Sequence, residues 1–107
     1  MTWLRVFCCL CILALHPLAG AHIHRSAAAR HAFQIQHPCP STGERRGKCA
    51  GYVIDHRISL CVGGHDIADN MRWMSMEGAK VKDRWECKPG WENHLKECEA
   101  NGCFVSG

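Results

Sequence analysis

An aspartate and a histidine stand side by side at positions 55 and 56, directly after the apolar triplet Tyr52-Val53-Ile54. Asn70 follows fourteen residues after His56, ahead of a polar, helix-forming stretch. A carboxylate is a hard oxygen ligand for a divalent cation. An imidazole is basic enough at neutral pH to take a proton from water. Together they suit metal-assisted hydrolysis of a phosphodiester. Successive side chains of a regular strand point to opposite faces, so the two serve one site only if the strand ends or bends at that dipeptide. The polar Arg57 and the loop after it permit this. An isolated Asp-His pair is commonplace on protein surfaces, so its surroundings decide the reading.

Those surroundings are short elements with clear punctuation. Ser26 is an N-cap for a helix reaching Gln36, with Ala28, Ala32 and Ile35 at i, i+4, i+7 and Phe33 beside them. Pro38 and Pro40 end it, and residues 39–48 form a loop carrying Arg45, Arg46 and Lys48. Tyr52-Val53-Ile54 reads as a strand, and β-like character is expected to persist through Ile58 and Leu60. Gly63-Gly64 makes a turn, residues 65–70 a polar loop, and Met71 to Met74 a return strand. Ser75 caps a second helix, predicted to run to Glu86 with Glu77 in its first turn. Lys88-Pro89-Gly90 stops it, and Trp91, Leu95 and Cys98 mark a short third helix before a Gly-containing tail. The central unit is therefore strand, loop, strand, helix.

The chain as a whole bounds what such a unit can belong to. At 107 residues it is one domain at most and no multidomain enzyme. A charged fraction of 21% with four Trp argues against wholesale disorder. Residues 1–21 read as a secretory signal: Arg5, an apolar run from Val6 to Leu15, the breakers His16 and Pro17, and an A-x-A site ending at Ala21. The run is too short to span a membrane, which takes about 20 apolar residues. The expected product is a periplasmic or secreted chain of residues 22–107 with no transmembrane segment and a formal charge of +2, since only Arg5 is removed from the +3 total. That charge implies no polyanion partner by itself.

Cleavage also sorts the nine cysteines. Cys8, Cys9 and Cys11 leave with the signal, while Cys39, Cys49, Cys61, Cys87, Cys98 and Cys103 remain. An even number in a small exported chain points to disulfides. Zinc fingers carry ligand pairs two to four residues apart, a spacing that none of the six shows. Six cysteines allow 15 connectivities, and spacing does not choose among them.

The stretch Gly51-Tyr52-Val53-Ile54-Asp55-His56-Arg57-Ile58-Ser59-Leu60, then Gly63-Gly64, then Asn70-Met71-Arg72-Trp73, resembles the HNH (ββα-metal) endonuclease family. The wider frame looks like small exported bacterial members of it: Arg25-Ser26 through Phe33, Pro38-Cys39-Pro40-Ser41-Thr42-Gly43, and Ala79-Lys80-Val81-Lys82-Asp83-Arg84-Trp85-Glu86. The resemblance covers residues 25–87. It implies an α+β fold with a small ββα-metal core at about residues 49–87, flanked by helices and stapled by disulfides.

By the same resemblance, His56 stands at the family's general base and Asp55 at a metal ligand. Asn70 stands at the residue that pins the loop between the strands. The third signature residue, a His or Asn on the helix, is missing: Ala79 and Lys80 occupy that region. Asp83, one turn beyond Ala79 on the same helix face, can supply the second ligand, and Lys80 can meet the scissile phosphate. The cation implied is Mg²⁺ or Mn²⁺, with Ni²⁺ or Zn²⁺ as further options. DNA is the implied partner, RNA remaining open, with Arg57, Arg72, Lys82 and Arg84 as nucleic-acid contacts if they are more than a solvated surface.

Other conspicuous residues have plainer roles. His22, His24, His31 and His37 are irregularly spaced and read as solvated, His65 as a loop-stabilising neighbour of Asp66 and Asp69, and Trp73 and Trp85 as core. Two functions compete. One is an exported metal-dependent HNH endonuclease cutting DNA with little sequence specificity. The other is a noncatalytic, disulfide-rich secreted binding protein on a degenerate HNH scaffold, favoured by the missing third residue.

Overall fold

A computed structural model describes residues 25–105. The expected signal at 1–21, with Cys8, Cys9 and Cys11, lies outside the described residues, as do His22 and His24. Helix α1 spans Ala27–Gln36, and the Ser26 side chain accepts from the Ala29 amide at 3.1 Å as its cap. The helix is rotated from the predicted face. Ala28, Ala32 and Ile35 are exposed, while Phe33 and Gln34 are buried and Ala29 packs on the core. An aromatic ring has more apolar area to remove from water than two alanines. Phe33 therefore sets the rotation, stacking on His37 at 4.8 Å between ring centroids and tilting onto Trp73 at 5.8 Å.

Strands β1 (Tyr52–His56) and β2 (Met71–Ser75) pair antiparallel, with Tyr52 opposite Ser75 and His56 opposite Met71. A third strand, β3 (Phe104–Val105), joins the far edge of β2, giving the order β1-β2-β3. Sequence punctuation alone predicts a tail there. Between β1 and β2 the predicted β-like run is replaced by 3₁₀ turns at Leu60–Val62 and Ala68–Asn70. The first folds back tightly: the Gly64 amide donates to Ser59 O at 3.0 Å, and a Cβ at Gly64 would fall 1.8 Å from Ile58 O. Only glycine fits that approach.

Helix α2 (Met76–Asp83) starts at its expected cap, the Ser75 Oγ accepting from Gly78 N at 3.0 Å. It ends three residues before the predicted Glu86, but turn hydrogen bonds from Trp85 and Glu86 to Lys82 O carry the chain on in helical fashion. Helix α3 spans Trp91–Ala100 and buries Leu95. Phe33, Cys39, Cys49, Met71 and Trp73 form the core, with Tyr52 and Ile54 packed against it. Val53 and Asp55 alternate with that pair and lie on the side of the sheet that α2 covers. Disulfides Cys39–Cys49, Cys61–Cys87 and Cys98–Cys103 use all six cysteines of the described residues. The fold is a small α+β domain, and among the described residues no helix is long and apolar enough to cross a membrane.

Candidate functional site

The end of β1 carries two adjoining clusters: the strand stops at His56, and Lys82 of the second cluster donates to the His56 carbonyl at 2.9 Å. On the α1 side, His56 Nε2 lies 2.9 Å from Asp66 Oδ1, with the two side chains only 12% and 22% exposed. The other oxygen of Asp66 accepts from the Ser26 amide at 2.5 Å, so this carboxylate ties the imidazole to the start of α1. A carboxylate only accepts, so the contact assigns a proton to His56 Nε2, and in the neutral ring the lone pair is then on Nδ1. That is the arrangement of a base with an orienting acid.

Asn70 fixes the backbone around that histidine. Its Nδ2 donates to Ile58 O at 2.9 Å and His65 O at 2.8 Å, its Oδ1 accepts from Ile58 N at 3.0 Å, and its own carbonyl accepts from Arg57 N at 2.7 Å. One side chain thus latches both limbs of the loop that carries Asp66. His65 takes part through its carbonyl.

On the α2 side, Lys82 is 2% exposed and sits in a cage of oxygens. Its ammonium donates to His56 O at 2.9 Å, Ser59 Oγ at 2.9 Å and Glu86 Oε2 at 2.6 Å. Those three bonds use every N–H it has. Asp55 Oδ2, a buried oxygen, ion-pairs with the same nitrogen at 2.9 Å, a fourth acceptor for an ammonium with three N–H groups. Ser59 Oγ in turn donates to Glu86 Oε2 at 2.5 Å.

The electrostatics follow from this crowding. Burial raises the Asp55 carboxyl above its ordinary value, against the lowering pull of Lys82. Burial also acts to raise Glu86, but hydrogen bonds from Lys82 and Ser59 outweigh it and hold that carboxyl low. Asp83 is raised by partial desolvation and then by its hydrogen bond to Glu86 and the charges of Glu86 and Asp55. Three carboxylates thus share one ammonium.

The structure places the remaining sequence-derived residues less centrally. Lys82, read as a nucleic-acid contact, is an internal counter-ion, 2% exposed and paired with Asp55 and Glu86. Lys80, read as a phosphate contact, is exposed and pairs with Glu77 at 3.8 Å. It is two positions from Lys82, a spacing that sends the two side chains to different sides of a helix. Arg57 pairs with Glu99 of α3 at 2.7 Å, and Arg72 donates to the carbonyls of Asp69 and Met71. Arg84 is exposed at the end of α2. Asp66, Ser59 and Glu86 are central to the site, and sequence reasoning missed them. The i, i+4 spacing of Lys82 and Glu86 was the available signal for one of them.

The donors are of the kind a hard cation takes: Asp55 presents a buried oxygen whose present partner is the Lys82 ammonium, Asp83 lies within its electrostatic reach, and the local balance is negative. Among the described residues, no three His, Cys, Asp or Glu side chains converge as a ready-made ligand set, so any such ion would rest on two protein ligands and solvent or substrate. No protein-family model, curated protein or solved structure matches the chain.

Proposed function

We propose that this protein is an exported, metal-dependent endonuclease of HNH type that hydrolyses phosphodiester bonds in DNA with little sequence specificity. The observation that carries the reading is the half-buried His56–Asp66 pair at 2.9 Å, at the end of a strand whose next loop is latched by Asn70. Export to the periplasm or beyond accords with three disulfides, which persist in oxidising compartments.

In this mechanism His56 Nδ1 takes a proton from the attacking water while Nε2–H stays bonded to Asp66, whose charge stabilises the imidazolium that forms. The water oxygen bonds to phosphorus as the P–O bond to the 3′-oxygen breaks, and the departing 3′-alkoxide takes a proton from solvent water, giving 5′-phosphate and 3′-hydroxyl ends. Asp55 and Asp83 are the residues that would hold a divalent cation. When bound, such an ion offsets charge developing on the phosphate and the leaving oxygen. Lys82 keeps the buried Asp55 available as an anion.

The test is incubation of the oxidised protein with supercoiled plasmid in Mg²⁺, Mn²⁺ or Ni²⁺ and in EDTA. Nicking in metal, abolished by EDTA, and a loss of about 10²–10⁴-fold in His56→Ala are expected. A His56→Ala protein that nicks at the wild-type rate removes the assignment. The second reading, a noncatalytic binding protein, is favoured by the Lys82 ammonium lying 2.9 Å from Asp55 Oδ2, where it competes with any metal. No nicking in any metal supports that reading.

A further inference from the structure

A cleft of about 650 Å³ lies between α1, the loop before β1 and the strand itself. Its α1 wall is Ala27, Arg30, His31 and Gln34, one continuous helix face, and Lys48 stands on the loop side. Tyr52, Ile54 and Trp73 are part of the floor, and no carboxylate lines it. The Arg30, His31 and Lys48 side chains make no hydrogen bond or ion pair with any described residue, unlike Arg57 and Arg72.

The cleft also lies in the basic part of the chain. Residues 25–48 hold five Arg and Lys against one Glu, a net of +4, whereas residues 49–105 hold seven against nine Asp and Glu, a net of −2. A nearly neutral total thus conceals a strongly polarised molecule.

One end of this cleft adjoins the base. Ala27 follows Ser26, whose amide holds Asp66, which holds His56. Along β1, Ile54 precedes His56 by two residues, so the two share a face of the sheet at a separation of roughly 7 Å.

We propose that this cleft binds a single-stranded stretch of nucleic acid. Its phosphates pair with Arg30 and Lys48, a base lies over the Tyr52 side of the floor, and the strand leads toward His56. Cations beside an aromatic side chain, with no carboxylate in the lining, are what single strands bind. The binding surface is then α1 with the 45–48 loop, not Arg57, Arg72, Lys82 and Arg84. Only the alignment with a scissile bond rests on the nuclease reading; the binding does not.

The experiment is fluorescence anisotropy with a labelled oligothymidylate of about 12 nucleotides and a duplex of the same length. The oxidised His56→Ala protein is the background, titrated at several salt concentrations. The single strand is expected to bind more tightly than the duplex. Arg30→Gln with Lys48→Gln should weaken it at least about 10-fold and reduce the salt slope by roughly 1.4, about 0.7 per lost phosphate contact. Arg57→Gln with Arg84→Gln should change little. Unaltered binding in the Arg30/Lys48 variant, or tighter binding of the duplex, overturns the cleft even if the protein nicks plasmid. The expected losses in a protein that cleaves neither plasmid nor the single strand leave the cleft standing and remove the nuclease.

Discussion

Lys82 shows most sharply how a residue's neighbours reassign it. A lysine in a helix with other charges reads as solvated, because burying an ammonium is costly unless it is paired and hydrogen-bonded. Here it is both, and the partners that make burial tolerable come from two distant places in the chain: His56 and Ser59 around the end of β1, and Glu86 beyond α2. Only the step from Lys82 to Glu86 is local, so the cage as a whole is not legible in the sequence, whereas the strand that carries Asp55 and His56 is. The cage has a pH signature. Glu86 is held below its ordinary value of 4.5, so its contribution to stability is present above that pH and is lost as pH falls through the lower folded value. Asp55, raised above 3.8, has the opposite sign: its contribution is present below that pH and lost as pH rises through the folded value. Glu86→Gln should therefore destabilise by about 1–3 kcal/mol at pH 6, the scale of a lost hydrogen bond to a charged group. The gap from wild type should narrow as pH drops toward 3. Melting temperatures of both proteins across that range check it, and a gap that stays constant excludes an ionised Glu86 as the source.

At the scale of elements, what the sequence made visible was the punctuation. Ser26 and Ser75 cap the helices they were expected to cap, because a hydroxyl ahead of a helix satisfies amides that have no other partner. The rotation of α1 and the existence of β3 were not visible, since both depend on surfaces supplied by distant residues, Trp73 for one and β2 for the other. The same distinction governs the loop from Arg57 to Asn70. Gly63-Gly64 announced a turn, but the loop's shape is fixed by the Asn70 latch inside it and by Cys61–Cys87, which ties it to the segment after α2. That disulfide spans 26 residues of sequence, against 5 for Cys98–Cys103. In the chain-entropy account the longer loop gives the larger effect, about 3–4 kcal/mol. Cys61→Ala with Cys87→Ala should lower stability by that amount, read from chemical denaturation. It should also speed hydrogen exchange at the Ile58 amide well before the amides of β2. Exchange rising equally throughout would mean that the loop has no local stability of its own.

Across the whole molecule, the apolar interior is slight and divided. Among the described residues, the buried hydrophobic ones are Phe33, Cys39, Cys49, Met71, Trp73, Met74 and Leu95, and two of these seven are cysteines already joined to each other. Met74 lies under α2 and Trp73 under α1, so a sheet of three short strands has small contacts on both faces in place of one thick core. Domains of this size net only a few kcal/mol from burial, and an oxygen cage around a buried ammonium adds little net stability while punishing any loss of a partner. The disulfides must therefore supply the margin. Each removed from a small secreted domain costs about 2–5 kcal/mol, against a total of about 5–15 kcal/mol for typical proteins. Losing all three should exceed what is left. Full reduction without denaturant at 37 °C is expected to unfold the chain cooperatively, with Trp73 moving from a site 2% exposed into water. Its fluorescence should shift to the red together with loss of near-ultraviolet circular dichroism, and both should return on reoxidation. A fully reduced protein that keeps its near-ultraviolet signal would place the margin in the core and the Lys82 cage instead.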